Sequence, residues 1–170
     1  MADYISADHI AAKKGGFEPQ RKAFFKISFE DASTNDILQL SVATCKIPGV
    51  NFEAGEIKYG NESRFYVGRV SWDDVEITFT DYVDKGVYEQ LDEWRVSQYD
   101  FATGAVALAS DYKRQGSISL ISPDGKTKRT WTIIGAWIMK LDPGGGDMGA
   151  GTDANMISCT LKCDRVIPVK

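Results

Sequence analysis

The chain has 170 residues, 43% of them hydrophobic and 26% charged, with 20 Lys and Arg against 24 Asp and Glu for a formal net charge of −4. That length suits a single domain over 1–170 with a self-sufficient core, and the acidic balance argues against a protein that grips nucleic acid through a basic stripe. The longest apolar run, Ile133 to Met139, is far shorter than the roughly 20 residues that span a bilayer, and the N-terminus lacks the apolar core of a signal peptide, so a soluble product without membrane insertion is expected.

Residues 1–20 are polar, are broken by Lys13-Lys14-Gly15-Gly16, and read either as an N-terminal arm that orders against a neighbouring subunit or as a disordered segment. Next, Phe25, Ile27 and Phe29 alternate with Lys26, Ser28 and Glu30, and Leu38, Leu40 and Val42 alternate with Gln39 and Ser41, which predicts two strands. The run from Lys46 to Phe101 follows, with strands leading into one helix. Within it Val75, Ile77 and Phe79 alternate with Asp74, Glu76, Thr78 and Thr80, a strand with one dry and one wet face. After Asp81 the period changes: Val87, Leu91, Trp94, Gln98 and Phe101 are spaced by four, three, four and three residues and share one side of a helix, with Asp84 as its cap and Gly104 just past its end.

Beyond the helix, Pro123-Asp124-Gly125-Lys126 reads as a hairpin turn between two strands. The second of these places Trp131 and Trp137 on the parity of Ile133, Gly135 and Met139, and both of its faces read as dry. Residues 142–155 form a glycine-rich loop, and residues 156–169 a single closing strand. The expected order is five strands, a helix and three strands. Trp72, Trp94, Trp131 and Trp137 are assigned mostly to the core.

No catalytic constellation emerges, and no enzyme activity, cofactor or metal is expected. His9, the only histidine, lies in the polar arm with nothing to orient it. Asp73 and Asp74 are consecutive in extended chain, so their side chains point apart and cannot share a proton. Gly144, Gly146 and Gly149 satisfy a dinucleotide fingerprint in spacing, but the loop leads into a strand where that fingerprint needs a helix. Gly149, Gly151 and Asp153 are one fragment of a calcium-binding glycine repeat, too little to build its stacked turns.

Three cysteines without a close pair do not make a zinc site. Cys159 and Cys163 share a strand face with Ile157 and Leu161 but lie about 13 Å apart at strand rise, too far to bond each other. The plain reading of Cys45, Cys159 and Cys163 is three reduced apolar fillers; the sharper one is disulfides between subunits formed in an oxidising medium.

The segments FFKISFE, LQLSVATCKIPGVNFEAGEIKYGNES, VSWDDVEITFTDYVDKGVYEQLDEW, WTIIGAWIMKLD and NMISCTLKC, together spanning roughly Ala23 to Val166, resemble the tail tube proteins of contractile bacteriophages, a family related to the tube subunit of type VI secretion systems. The resemblance implies a mainly β (α+β) fold, an antiparallel β-barrel or sandwich with one flanking α-helix, assembled as hexameric rings stacked into a hollow tube. It implies a hairpin over Glu53 to Val70 that reaches the adjacent ring, with Tyr59, Arg64, Phe65, Tyr66 and Arg69 as interface anchors. It also implies a polar lumen wall, for which Asp74, Glu76, Thr78 and Thr80 are one candidate face. The expected partners are further copies of the chain, a sheath, a baseplate and a tail terminator, with DNA passing through unbound. The expected location is the virion tail, assembled in the cytoplasm of a bacterial host. A tube of a type VI-like secretion or injection machine is the alternative, and a small-ligand-binding β-barrel with the glycine-rich loop as its lid is a third reading.

Overall fold

The computed structural model describes residues 19–30, 35–149 and 152–169. Most of the expected arm, including His9, and Gly151 of the glycine-rich loop lie outside them. The strands are β1 (Phe25–Phe29), β2 (Val42–Cys45), β3 (Val50–Tyr59), β4 (Glu62–Trp72), β5 (Val75–Thr80), β6 (Arg114–Ile121), β7 (Thr127–Asp142), β8 (Met156–Lys162) and β9 (Arg165–Val169). Helix α1 (Asn35–Ser41) precedes β2, while α2 (Val87–Val96) and α3 (Ala109–Tyr112) lie between β5 and β6. All strand pairings are antiparallel.

Seven strands run in the order β1-β6-β7-β8-β5-β2, with β9 added beside β7. The sixteen-residue β7 joins both halves: its first part pairs with β6 and β9, its last part with β8. Strands β1 and β2 do not pair with each other, so the barrel stays open at that seam.

The alternation in β5 does what its sequence dictates. Val75, Ile77 and Phe79 are buried, Glu76 is exposed, and Thr78 and Thr80 are half-buried. They join Ile118 from β6, Ile133 and Ile138 from β7, and Ile157, Cys159 and Leu161 from β8 in one apolar cluster. Each side chain of this size contributes about 1.5–3 kcal/mol on burial. Helix α2 covers the cluster with Val87, Leu91 and Trp94. Trp94 meets Phe29 edge-on at 5.4 Å between ring centroids, receives the Arg114 guanidinium at 4.7 Å, and donates from Nε1 to the Tyr112 carbonyl at 2.8 Å.

The structure corrects five expectations. Leu38 and Leu40 belong to α1, not to a strand: a helical turn buries Leu38 and turns Leu40 outward to 82% exposure, whereas a strand would put both on one face. Helix α2 starts after Gly86, which has φ 60° and no side-chain cap, so Asp84 does not cap it. It ends at Val96, leaving Gly104 in the following turn, Phe101 exposed, and the Gln98 amide bridging the backbone N and O of Ile138 at 2.9 Å each. Three-residue spacing continued past a helix that had already stopped.

The last two corrections meet at one corner. Gly135 has φ 68°, and that left-handed step switches the parity of β7: Ile133 faces inward before it, Ala136 and Ile138 after it, and Met139 is exposed. Opposite it, the closing strand breaks into β8 and β9 at Cys163-Asp164, where the Asp164 amide donates to the Ile134 carbonyl at 3.0 Å. The Asp164 carboxylate fills the space a Gly135 side chain would need and accepts from Lys113 Nζ at 2.7 and 2.8 Å. Of the tryptophans only Trp94 is fully buried; Trp72 and Trp131 pack against the cluster half-buried.

The cysteines follow the core. Cys159 and Cys163 are buried, Cys45 is half-buried, and all three are free thiols. Burial pushes Cys45 and Cys159 up to about 12 and raises Cys163 as well. A bridge from Cys159 to a second chain would have to open the sheet that β5, β7 and β8 share.

Two outcomes are expected. Gly135→Ala should lower the thermal midpoint by several degrees, corresponding to about 1–3 kcal/mol, because it forces a Cβ onto a left-handed residue against Asp164; an unchanged midpoint would show that the corner tolerates a side chain. Native alkylation at pH 8 should reach Cys45 first and roughly a thousandfold more slowly than a free cysteine, since only about one molecule in ten thousand carries a thiolate at that pH, with Cys159 protected until unfolding. Rapid labelling of Cys159 in folded protein would contradict the packing.

Candidate assembly interface

Among the described residues, strands β3 and β4 pair only with each other, as a separate two-stranded sheet. Gly60 makes their two-residue turn possible: it takes φ 60° at the first central position, with Tyr59 and Glu62 paired on either side. The root is pinned by the main body. Asn51 Nδ2 donates to Asp73 Oδ1 at 2.6 Å, and the Asp73 amide donates to the Gly49 carbonyl at 3.1 Å. Asp74, one residue on, turns the other way to Lys162, so the two neighbouring carboxylates do separate work.

Register sorts the hairpin's side chains onto two faces. Tyr59 with Glu62, Ile57 with Arg64 and Gly55 with Tyr66 occupy one. The Tyr66 ring lies directly over Gly55, where any side chain would displace it. The opposite face carries Phe65 over Glu56 and Val67 over Ala54, and past a bulge in β4 at Gly68 and Arg69 it continues through Phe52 with Val70 and Val50 with Trp72. Phe65 and Val67 are each 71% exposed, Phe52 61% and Tyr59 60%.

The five residues singled out from the sequence thus divide. Tyr59, Arg64 and Tyr66 share one face, Phe65 lies on the other, and Arg69 stands in the bulge between Val67 and Val70. Sequence reading passed over Ile57 on the first face and Val50, Phe52 and Val67 on the second, where Val67 and Val70 come to one side only through a bulge in β4 that shifts the alternation.

A second surface is the wet side of β2, β5, β8 and the end of β7. Thr44 lies opposite Thr78, Thr78 opposite Ser158, Glu76 opposite Thr160, and Thr160 and Ser158 opposite Lys140 and Asp142. Asp74, Glu76, Thr78 and Thr80 therefore stand within a hydroxyl-rich sheet face, bordered by Met156 beside Thr80. Three ion pairs cross it: Lys162 with Asp74 at 2.7 Å, Lys46 with Glu76 at 3.4 Å and Lys140 with Asp142 at 3.9 Å. The hydrogen bond to Asp74, then its charge, holds the Lys162 ammonium above its ordinary pKa.

The open seam between β1 and β2 leaves a cleft of about 630 Å³ lined by residues that include Phe25, Cys45, Ile47, Ile118 and Leu120. None of the described residues of the glycine-rich loop, 142–155, lines it. That loop is anchored at its base: Asn155 Nδ2 donates to the Pro143 carbonyl at 3.1 Å and to Asp81 Oδ2 at 3.3 Å. Gly144, with φ 81°, fits against Asn155 only because it has no side chain. Among the described residues no group of His, Cys, Asp and Glu is arranged to hold a metal ion, and no helix is long and apolar enough to cross a membrane.

No protein-family model matches the chain. In sequence it is 27% identical, over 161 residues covering 89% of this chain and 88% of the relative, to a tail tube protein of Serratia phage KSP90. In backbone it matches the tube-terminating cap of the anti-feeding prophage with a TM-score of 0.73 at 17% identity, covering 94% of this chain and 97% of that one. It also matches a chain of the PVC sheath-tube complex of an extracellular contractile injection system in its extended state, with a TM-score of 0.71 at 19% identity, covering 98% and 99%. The chain is thus similar in sequence to a phage tail tube protein, and its half-open antiparallel barrel with one covering helix and a projecting hairpin shares its fold with chains of contractile injection-system and anti-feeding-prophage structures.

Proposed function

We propose that this chain is the structural subunit of a phage tail tube. Copies close into hexameric rings, and the rings stack into a hollow conduit through which DNA passes inside a contractile sheath, with a baseplate at one end and a terminator at the other. The observation that carries this reading is the hairpin. An isolated pair of strands is at best marginally stable in water, yet β3 and β4 display Phe52, Ile57, Tyr59, Phe65, Tyr66 and Val67 to solvent. Burying these side chains against a second copy, with Arg64 and Arg69 supplying directed hydrogen bonds, gives the chain a reason to assemble.

Stacking then follows from symmetry. A hairpin and the surface that receives it are different patches, so the contact is head-to-tail; such contacts either close into a ring or propagate as a filament. A tube uses both, one set around the ring and one along the axis. The edges of β1 and β2, unpaired among the described residues, offer backbone groups for contacts within the ring, and the hairpin spans to the next. The hydroxyl-rich face with Asp74, Glu76, Thr78 and Thr80 is assigned to the lumen. Passage through such a tube is passive, and the subunit needs no cofactor or bond-making step. The tail belongs to a virion assembled in a bacterial cytoplasm.

An injection machine that conveys proteins is the second reading, favoured by the backbone match to the injection-system complex. Both readings share the tube and differ in its cargo.

Purified protein at high concentration should form hollow filaments or six-fold rings by negative-stain electron microscopy. The double substitution Ile57→Ser with Tyr66→Ser should leave only monomers while its thermal midpoint stays within about 3 °C of the parent, because neither side chain belongs to the main core. Parent protein that stays monomeric across salt conditions, or a variant that stacks normally, would contradict the proposal.

A further inference from the structure

The proposed lumen face has an electrostatic property that net charge does not reveal. Six charged side chains stand on it, Lys46, Lys140, Lys162, Asp74, Glu76 and Asp142, and they form three ion pairs within one chain. Three lysines against three carboxylates sum to zero. Between them lie the hydroxyls of Thr44, Thr78, Ser158 and Thr160.

Stability is a poor explanation for these pairs. Their side chains are 30–70% exposed, and exposed pairs are worth about 0–1 kcal/mol. Their effect on a passing ligand is larger. Each pair is 2.7–3.9 Å across, well inside the roughly 8 Å over which charge is felt at physiological salt, so a polyanion sees a short dipole where it would otherwise meet an ammonium. A lysine freed from its partner would release counterions from a bound duplex and hold it.

Resting on the tube reading, we infer that this face is a charge-masked wall: Asp74, Glu76 and Asp142 are present to neutralise Lys162, Lys46 and Lys140, so that duplex DNA slides past the surface without binding it. The carboxylates are specificity-determining residues. They set what the conduit declines to hold.

The test compares three full-length proteins: the parent, a face variant (Asp74→Asn, Glu76→Gln, Asp142→Asn) and a control variant (Glu89→Gln, Glu93→Gln, Asp111→Asn) altered on exposed helix positions away from the face. Both variants shift the formal net charge equally, from −4 to −1 by loss of three carboxylates. Fluorescence anisotropy of a labelled 30-base-pair duplex is followed from 50 to 200 mM NaCl. The face variant should bind at least tenfold more tightly than the control, with a log–log salt slope steeper by about 2.7 per subunit for three released lysines. Equal binding by the two variants would overturn the inference. Glu76→Gln against Glu93→Gln should give the same contrast at smaller amplitude, and decides the matter if the triple variant does not fold. Electron microscopy of the same samples reports on the tube separately: rings without a face-specific gain sink the masking and leave the tube, whereas a gain without rings supports the masking and removes the tube reading.

Discussion

Two paired strands cannot bury both of their own sides, and that limit governs how the rest of this molecule is used. The main body satisfies itself: β5 and β8 bring four aliphatic side chains, a phenylalanine and a cysteine into the core, and α2 closes over them with Trp94. The hairpin has no such cover. Its exposed apolar side chains lie on both faces, Tyr59, Ile57 and Tyr66 on one and Phe65, Val67, Phe52 and Val50 on the other, and only its root leans on the body, through Trp72, Asn51, Asp73 and Gly49. On the tube reading, the free energy of burying that surface goes to contact between copies.

A division of labour results. On the tube reading, apolar side chains on β3 and β4 serve cohesion, while the wet side of β2, β5, β7 and β8, with hydroxyls and paired charges in place of free ones, serves non-adhesion. One strand carries both tasks at the level of the single residue. In β5, Ile77 is locked in the core while Glu76, its neighbour, reaches out to Lys46. The corner at Gly135 makes this arrangement compatible with one continuous β7, because the parity switch lets Ile133 and Ile138 both face inward, although an unbroken strand would put them on opposite sides.

Much of this was legible in the residues. Alternation located β1, β5 and the dry face of β8, four-three spacing located α2, and the Pro123-Asp124-Gly125-Lys126 turn sits between β6 and β7, with Gly125 at φ 78°. Helix α1 was not legible, because Leu38, Leu40 and Val42 alternate like a strand and only the exposure of Leu40 shows that they do not form one. The parity switch in β7 and the break between β8 and β9 were hidden for a different reason. Each depends on the other, through Asp164 seated against Gly135, and the two positions are far apart in sequence. Likewise Asp74 and Glu76 were visible as a wet strand face, but their lysines lie 88 and 30 residues away and join them only through the register of the folded sheet.

Amide hydrogen exchange over residues 50–72, compared between dilute and concentrated protein, tests the central claim most directly. If the hairpin takes its missing cover from another copy, these amides exchange rapidly when the protein is dilute and become protected as it assembles, while those of β5 and β8 stay protected throughout. Equal protection of the hairpin at both concentrations would mean that β3 and β4 are stable alone, and the account of why this chain assembles would be wrong.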